Sequence, residues 1–311
     1  MKTINLSAYH PILNIQDNVV FASNGNVVLG YRVSLPEIYS LSEKDFEDLH
    51  ANWFQAFKSL PAGTVIEKQD NYRKSTYTAE KLPCETFLQQ ATHHYFKNRE
   101  YLQHQSYLFF VLPLDKHLKA SKYVNPFRKT DKSIHKKLDH QVKEFIGAVK
   151  DAVSFINNSR KINISPLGRE KILEYTHSYF NGFHKDVDTD IRLDQKGIAI
   201  GDHHFDVLAI NSEQCFGESL QSSKINEKFT SDHFTFHQGF IDGLGLDLDE
   251  DHIINHIIYL DDKHKWRKVL EKKIEELSKS SNFGTQNKVV LKKIREIVNR
   301  INEDDSSRII R

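Results

Sequence analysis

Short β-rich runs alternate with amphipathic helical segments over residues 19–114, which restricts this part of the chain to a fold of helices and an antiparallel sheet. Residues 19–22 and 27–35 are two such runs, and the Asn24-Gly25 pair between them favours a tight hairpin. Helices are predicted from Ser42 to the Pro61-Ala62-Gly63 stop and over residues 85–97. Strands are predicted over residues 64–74 and 106–114. The resulting ββαβαβ order predicts a sheet covered by helices on one side.

The rest of the chain repeats this mixture around one long helix. Apolar residues at helical spacing predict that helix over residues 138–156, and Ser165-Pro166 and Asn181-Gly182 mark the start and stop of another. Strands are predicted over residues 191–193, 198–200, 206–210 and 253–260, and helices over residues 263–278 and 286–302. We therefore predict an α+β fold with mixed, largely antiparallel sheets flanked by helices. Its expected parts are an α+β subdomain over residues 1–125, a basic linker and long helix over residues 126–160, and a second α+β subdomain over residues 161–311.

Composition excludes several classes of protein. The 43 Lys and Arg nearly balance the 42 Asp and Glu, so the whole chain has no general attraction for nucleic acid or anionic lipid. Its longest apolar run, residues 107–114, is much shorter than the ~20 residues of a membrane helix. Cys84 and Cys215 lack metal-ligand spacing and indicate reduced thiols of a cytosolic protein.

The sequence contains no P-loop, since no glycine begins a GxxxxGK[ST] pattern. The apolar run that ends in Asp261-Asp262 resembles a magnesium-binding strand, but Asp262 is better placed to cap the next helix. His252 and His256, like His233 and His237, are four residues apart, which would suit a metal only on a helix. We therefore predict no catalytic, cofactor-binding or metal-ligating residues in this chain.

A basic stretch over residues 116–137 is the strongest local departure from neutrality. Its eight cations face one acid, Asp131, and Tyr123 and Phe127 lie among them. Three interpretations remain open: a solvated linker, a contact with anionic lipid or a membrane partner, and a site for single-stranded DNA. The candidate contact residues are the cations themselves: Lys116, Lys119, Lys122, Arg128, Lys129, Lys132, Lys136 and Lys137.

Several sequence blocks resemble the TraG family of conjugative-transposon ATPases, the assembly motors of type IV secretion. They include Tyr9-His10-Pro11-Ile12-Leu13, the run from Gly30 to Tyr39, Asn98-Arg99-Glu100-Tyr101-Leu102, the run from His256 to Asp262, and the run from Asp304 to Arg311. Together they span essentially the whole chain, and all lie outside the family's catalytic motifs. The resemblance implies that the P-loop, its magnesium carboxylate and the arginine finger belong to a carboxy-terminal domain missing from this sequence.

The resemblance implies an amino-terminal docking domain, either a fragment or a natural truncation, that does not itself hydrolyse ATP. Its expected partners are inner-membrane type IV secretion subunits and other copies within a motor oligomer, and nucleic acid is a weaker candidate. Its expected location is the cytoplasm, peripheral to the inner-membrane face. ATP and magnesium are expected only in the missing domain. The alternative is a stand-alone nucleic-acid-binding accessory protein of conjugation that uses the basic stretch.

Overall fold

The computed structural model describes residues 11–36, 41–78, 86–113, 132–183, 191–194, 197–201, 203–210, 223–239, 248–280, 285–303 and 309–310. The helices are α1 (Glu43–Lys58), α2 (Phe87–Phe96), α3 (Lys132–Asn157), α4 (Arg169–Phe180), α5 (Lys263–Ser280) and α6 (Thr285–Glu303). The strands are β1 (Ile12–Gln16), β2 (Val19–Ala22), β3 (Val27–Ser34), β4 (Val65–Thr76), β5 (Glu100–Leu112), β6 (Asn163–Pro166), β7 (Ile191–Asp194), β8 (Gly197–Ile200), β9 (His203–Phe205), β10 (Ser223–Ile225), β11 (His237–Gly239), β12 (His252–Asp261) and β13 (Ile309–Ile310).

One large antiparallel sheet organises the fold. Its strand order is β1-β2-β3-β5-β4-β12-β13, and β6 also pairs with β3. Strand β12 lies beside β4, so strands from both halves of the sequence share this sheet. The predicted α+β class with largely antiparallel sheets is confirmed.

Helices α1 and α3 cover one face of this sheet. Their buried apolar side chains pack against every second residue of the strands, as expected when one face of a sheet is turned toward a core. The centre of this core contains Leu29, Ile66, Leu108, Phe110 and Phe145. Helix α3 contributes the predicted apolar positions from Phe145 to Ile156, which confirms its amphipathic character.

Helix α4, from the second half of the chain, packs on the opposite face, so the central sheet has helices on both sides. Its Ile172 lies in a second cluster with Leu167 and with Tyr107 of β5, and Tyr175 packs against that cluster. Helix α4 begins at Arg169, because Ser165 and Pro166 belong to strand β6. It ends as predicted, with Asn181 as its carboxy-terminal cap.

Local signals at the amino-terminal end are confirmed. Strands β2 and β3 pair around the Asn24-Gly25 turn, where Gly25 has φ of 86° and the Asn26 N–H donates to Asn24 Oδ1. Ser42 caps α1 in a capping box with Asp45.

Two strand predictions in the second half need correction. Residues 206–210 were expected to extend the sheet, but the strand is β9, immediately before them, and these residues are largely exposed. Residues 253–260 were expected to be a buried strand. Strand β12 instead has one exposed face, since Ile257 and Tyr259 retain 51% and 40% of their accessible surface.

Helices α5 and α6 pack against each other near the end of the chain. Asp262 precedes α5 and its Oδ1 accepts from the His264 N–H, which confirms the predicted cap. None of the helices in the described ranges is both long and apolar enough to cross a bilayer.

Candidate docking surface

Strands β4 and β5 continue beyond the rest of the sheet as a two-stranded ribbon. Strand β12 pairs with β4 only as far as Tyr72, and β3 pairs with β5 only as far as Ser106. Residues 73–76 and 100–103 still pair with each other, and no third strand joins them in the described parts of the chain. Four residues of antiparallel strand extend about 13 Å. We call this ribbon, together with α2 and the turns beside it (residues 73–78 and 86–103), the arm.

The base of the arm is held by acidic residues that precede β12. The Lys74 backbone N–H donates to Asp251 Oδ1 at 2.5 Å, and the Arg73 side chain lies 3.4 Å from the same carboxylate. Lys74 also forms an ion pair of 3.1 Å with Glu250. These contacts tie the ribbon to the body of the protein where the third strand stops.

Helix α2 is fixed to the arm through one of its faces. Thr86 caps the helix in a capping box with Gln89, and the Tyr77 hydroxyl lies 2.7 Å from His93 Nδ1. The Tyr77 ring also contacts Phe96 at a centroid distance of 5.9 Å. These contacts orient the helix, yet no residue of α2 is buried or belongs to either core cluster.

The outer face of α2 is apolar and exposed. Phe87, Leu88 and Tyr95 retain 82%, 76% and 58% of their accessible surface. Leu88, Ala91 and Tyr95 are spaced three and four residues apart, so they share one side of the helix, and Phe87 flanks them. The Arg99 guanidinium lies over the Tyr95 ring at 3.7 Å. Such a surface on a held helix matches the way an amphipathic helix enters a partner's groove.

A polar cluster of titratable residues lies on the central sheet around Asp70. The Asp70 carboxylate contacts His104 and Lys68, and its side chain is only 5% exposed. Burial raises the pKa of Asp70, but hydrogen bonds from His104 and Lys68 and the charge of Lys68 outweigh it, so this pKa is lowered.

The histidines of this cluster make contacts between neighbouring strands of the sheet. The Tyr72 ring stacks between His104 and His252, with centroid distances of 4.5 and 4.6 Å. His256 lies beside Lys68 on the next strand, and burial together with that cation lowers its pKa. The cluster therefore links three neighbouring strands across one face.

A cleft lies between α4 and the other face of the sheet. Its volume is about 250 Å³, and its walls include Arg32, Tyr107, Lys171, Tyr175 and Phe183. The ring centroids of Tyr107 and Tyr175 are 4.9 Å apart, and those of Tyr175 and Phe183 are 5.8 Å apart.

The basic stretch lies mostly outside the described residues. Lys116, Lys119, Lys122, Arg128 and Lys129 fall in residues 114–131, which are not described. Lys132, Lys136 and Lys137 belong to the first turns of α3, and their side chains are not described either. The structure therefore leaves the proposed contacts of this stretch as predictions.

The paired histidines were expected to lie too far apart for one metal if they were in a strand. His252 and His256 are both in β12, four positions apart along the strand. Across the described ranges, no group of three or more His, Cys, Asp or Glu residues is arranged to hold a metal ion.

Sequence reasoning missed the arm and the cleft. The helix over residues 85–97 was predicted, but helical spacing alone did not show that its apolar residues remain exposed instead of packing into the core. The available signal was that Phe87, Leu88 and Tyr95 share a short segment with two neighbouring histidines and no acidic residue. The cleft gave no local signal, because its walls come from β3, β5 and α4.

Comparison with known proteins places one match at the amino-terminal end. The chain is similar over residues 1–51 to a family described as a domain of unknown function with a B. Theta gene description, DUF3875. That segment includes β1, β2, β3 and the first half of α1. No curated protein matches the chain.

Proposed function

We propose that this chain is the docking and assembly domain of a conjugation ATPase of type IV secretion. In this role it contacts inner-membrane channel subunits and neighbouring motor subunits during DNA transfer, from the cytoplasmic side of the inner membrane. The resemblance of its sequence blocks to TraG motors supports the assignment to type IV secretion. The arm supports the assignment of a docking role.

The exposed face of α2 carries the proposal. An isolated apolar side chain on a surface is ordinary, whereas Phe87, Leu88 and Tyr95 form a contiguous apolar face on a short helix outside the core. Burying one such side chain in an interface contributes about 2 kcal/mol, roughly thirtyfold in Kd. The capping box and the Tyr77–His93 contact hold the helix in place before a partner arrives, which lowers the entropic cost of binding.

In this proposal, ATP hydrolysis takes place in another domain of the motor. The sequence has no GxxxxGK[ST] motif, the pattern that supplies the backbone cradle and the lysine of a P-loop site for a nucleoside triphosphate. ATP and magnesium accordingly belong to the carboxy-terminal ATPase domain that the resemblance implies. We expect no ATP hydrolysis by this chain alone.

Site-specific photocrosslinking in conjugating cells tests the proposal. A benzoylphenylalanine in place of Leu88 is expected to crosslink to an inner-membrane subunit of the secretion system or to a second motor subunit. The matched control places the same group at Leu208, which is 93% exposed and lies far from α2 in sequence. Equal crosslinking from both positions, or none from position 88, would contradict docking through the arm.

The basic stretch favours one alternative, a nucleic-acid-binding accessory role. It concentrates eight cations against one acid over residues 116–137. Binding to single-stranded DNA would then weaken with salt, with log K falling by about 0.7 per phosphate contacted for each unit of log salt. Fluorescence anisotropy at several salt concentrations separates the two roles, since docking predicts weak DNA binding.

A further inference from the structure

We propose that the cleft beside α4 is a receptor for an anionic aromatic residue of a partner peptide, one that presents a carboxylate next to an aromatic ring. This inference rests on the proposed docking function for the source of the peptide. The site itself is separate from the arm and is built by β3, β5, α4 and the residues that flank α4.

Two cations in the cleft have no ion-pair partner among the residues that the structure describes. Arg32 lies opposite Tyr107 in the β3–β5 register, and Lys171 lies in the first turn of α4. Neither side chain has an ion pair or hydrogen bond with another of the described residues, although both line the same cleft. Unpaired cations around a concave site favour an anionic ligand.

Aromatic rings supply the second half of the recognition. Tyr107, Tyr175 and Phe183 form a continuous wall, and both tyrosine hydroxyls are already committed within the protein. The Tyr107 hydroxyl donates to Gln105 at 2.9 Å, and the Tyr175 hydroxyl donates to Gln69 at 2.7 Å. Held in this way, the rings offer faces and edges for an aromatic ligand rather than free hydroxyl groups.

Size and charge favour a single residue over a nucleotide or cofactor. The volume of about 250 Å³ lies below the roughly 300–1,000 Å³ of sites for drug-sized ligands. Glu174 lies on the same side of α4 as Lys171 and Tyr175 and also lines the cleft. Its negative charge opposes a phosphate dianion more strongly than a carboxylate, so the balance of charges selects a monoanion.

The cleft is suited to binding one side chain of a docked peptide segment. A pocket of this size accepts one anchor side chain, and interfaces draw much of their binding energy from such anchors. Its lining includes Ser178, a half-buried residue whose hydroxyl can donate to or accept from a ligand backbone. A partner held at the arm by apolar contacts would gain specificity from a second, charge-dependent contact here.

Titration of the intact chain with two small probes tests the proposal. N-acetyl-phenylalanine carries both the ring and the carboxylate, whereas N-acetyl-phenylalaninamide carries the ring alone. We expect amide resonances of residues around Arg32, Tyr107 and Ser178 to shift saturably with the acid. The neutral amide should bind about tenfold more weakly, because it loses a charge-assisted hydrogen bond.

Variants locate the binding. Arg32→Gln and Lys171→Gln each remove one cation from an exposed position and should weaken binding of the acid to the level of the neutral probe. Lys150→Gln, an exposed position on α3 outside the cleft, is the matched control and should bind like the wild type. Circular dichroism confirms that each variant is folded.

Three results would overturn the proposal. These are equal affinity for the two probes, binding unchanged by both cleft variants, and tighter binding of adenosine monophosphate at the same residues. The outcome is independent of the arm. If position 88 crosslinks but the probes do not bind, only the cleft proposal is overturned. If the probes bind but position 88 does not crosslink, only docking through the arm is overturned.

Discussion

His104 Nε2 lies 2.9 Å from Asp70 Oδ1, so a nearly buried carboxylate on β4 is tied to the neighbouring strand β5. Lys68 contacts the other carboxylate oxygen of Asp70 from two positions along the same strand. The side chains of His104 and Lys68 are 30% and 25% exposed, whereas that of Asp70 is 5% exposed. Asp70 is therefore the centre of the cluster, located just where the central sheet narrows into the arm.

Replacing Asp70 with Asn should destabilise the protein by about 2 kcal/mol, since hydrogen bonds to charged groups contribute roughly 1.5–3 kcal/mol. The amide keeps the shape of the side chain but leaves Lys68 without its counter-charge. Urea unfolding at pH 7 measures the loss. Asp48→Asn, on the exposed side of α1, should change stability by less than about 0.5 kcal/mol. Equal effects from the two variants would mean that the cluster contributes no net stability.

The stabilisation from Asp70 should disappear in acid. Its pKa is lowered in the folded state, so its contribution is complete above the unfolded-state value of about 3.9 and falls as pH drops from there toward the folded pKa. The difference in unfolding free energy between the wild type and Asp70→Asn should therefore be largest above about pH 5 and shrink below about pH 4. A constant difference over that range would contradict the assignment of a buried, ionised carboxylate.

Two glycine substitutions should act in opposite directions. Gly182 follows α4 with φ of 61°, and a Cβ there would overlap the Phe205 ring of β9. Gly182→Ala should therefore cost about 2 kcal/mol, from left-handed backbone strain and the clash. Gly147 lies in α3 with open space around its Cα, so Gly147→Ala should stabilise by about 1 kcal/mol. Thermal unfolding of both variants checks the signs, and stabilisation by both would refute the contact between Gly182 and Phe205.

Features governed by neighbouring residues were predictable from the sequence. The Asn24-Gly25 turn, the Ser42 cap and the Asp262 cap all appear where the sequence indicates, because a turn or cap depends on a few adjacent residues. The long helix was also predictable, since its apolar residues repeat at helical spacing over many turns.

Features governed by distant pairing were not predictable. The pattern of β12 indicates a strand but cannot specify β4 as its neighbour, because the two lie almost two hundred residues apart. Its run of Ile residues suggested burial on both faces, yet the strand borders solvent on the side of Ile257. The arm arises from the same cause: β3 stops pairing with β5 at Ser106 and β12 begins at His252, while β4 and β5 continue to pair beyond both points.

Binding of the chain to the inner-membrane subunits of its secretion system tests the central claim most directly. Those subunits would be reconstituted in lipid nanodiscs, and the affinity of wild type and Leu88→Glu would be compared by biolayer interferometry, with Leu208→Glu as the control. We predict saturable binding that Leu88→Glu weakens at least thirtyfold, because a charge replaces about 2 kcal/mol of apolar burial, and that Leu208→Glu leaves unchanged. Undetectable binding of the wild type, or equal affinity for all three proteins, would contradict a docking domain that acts through α2.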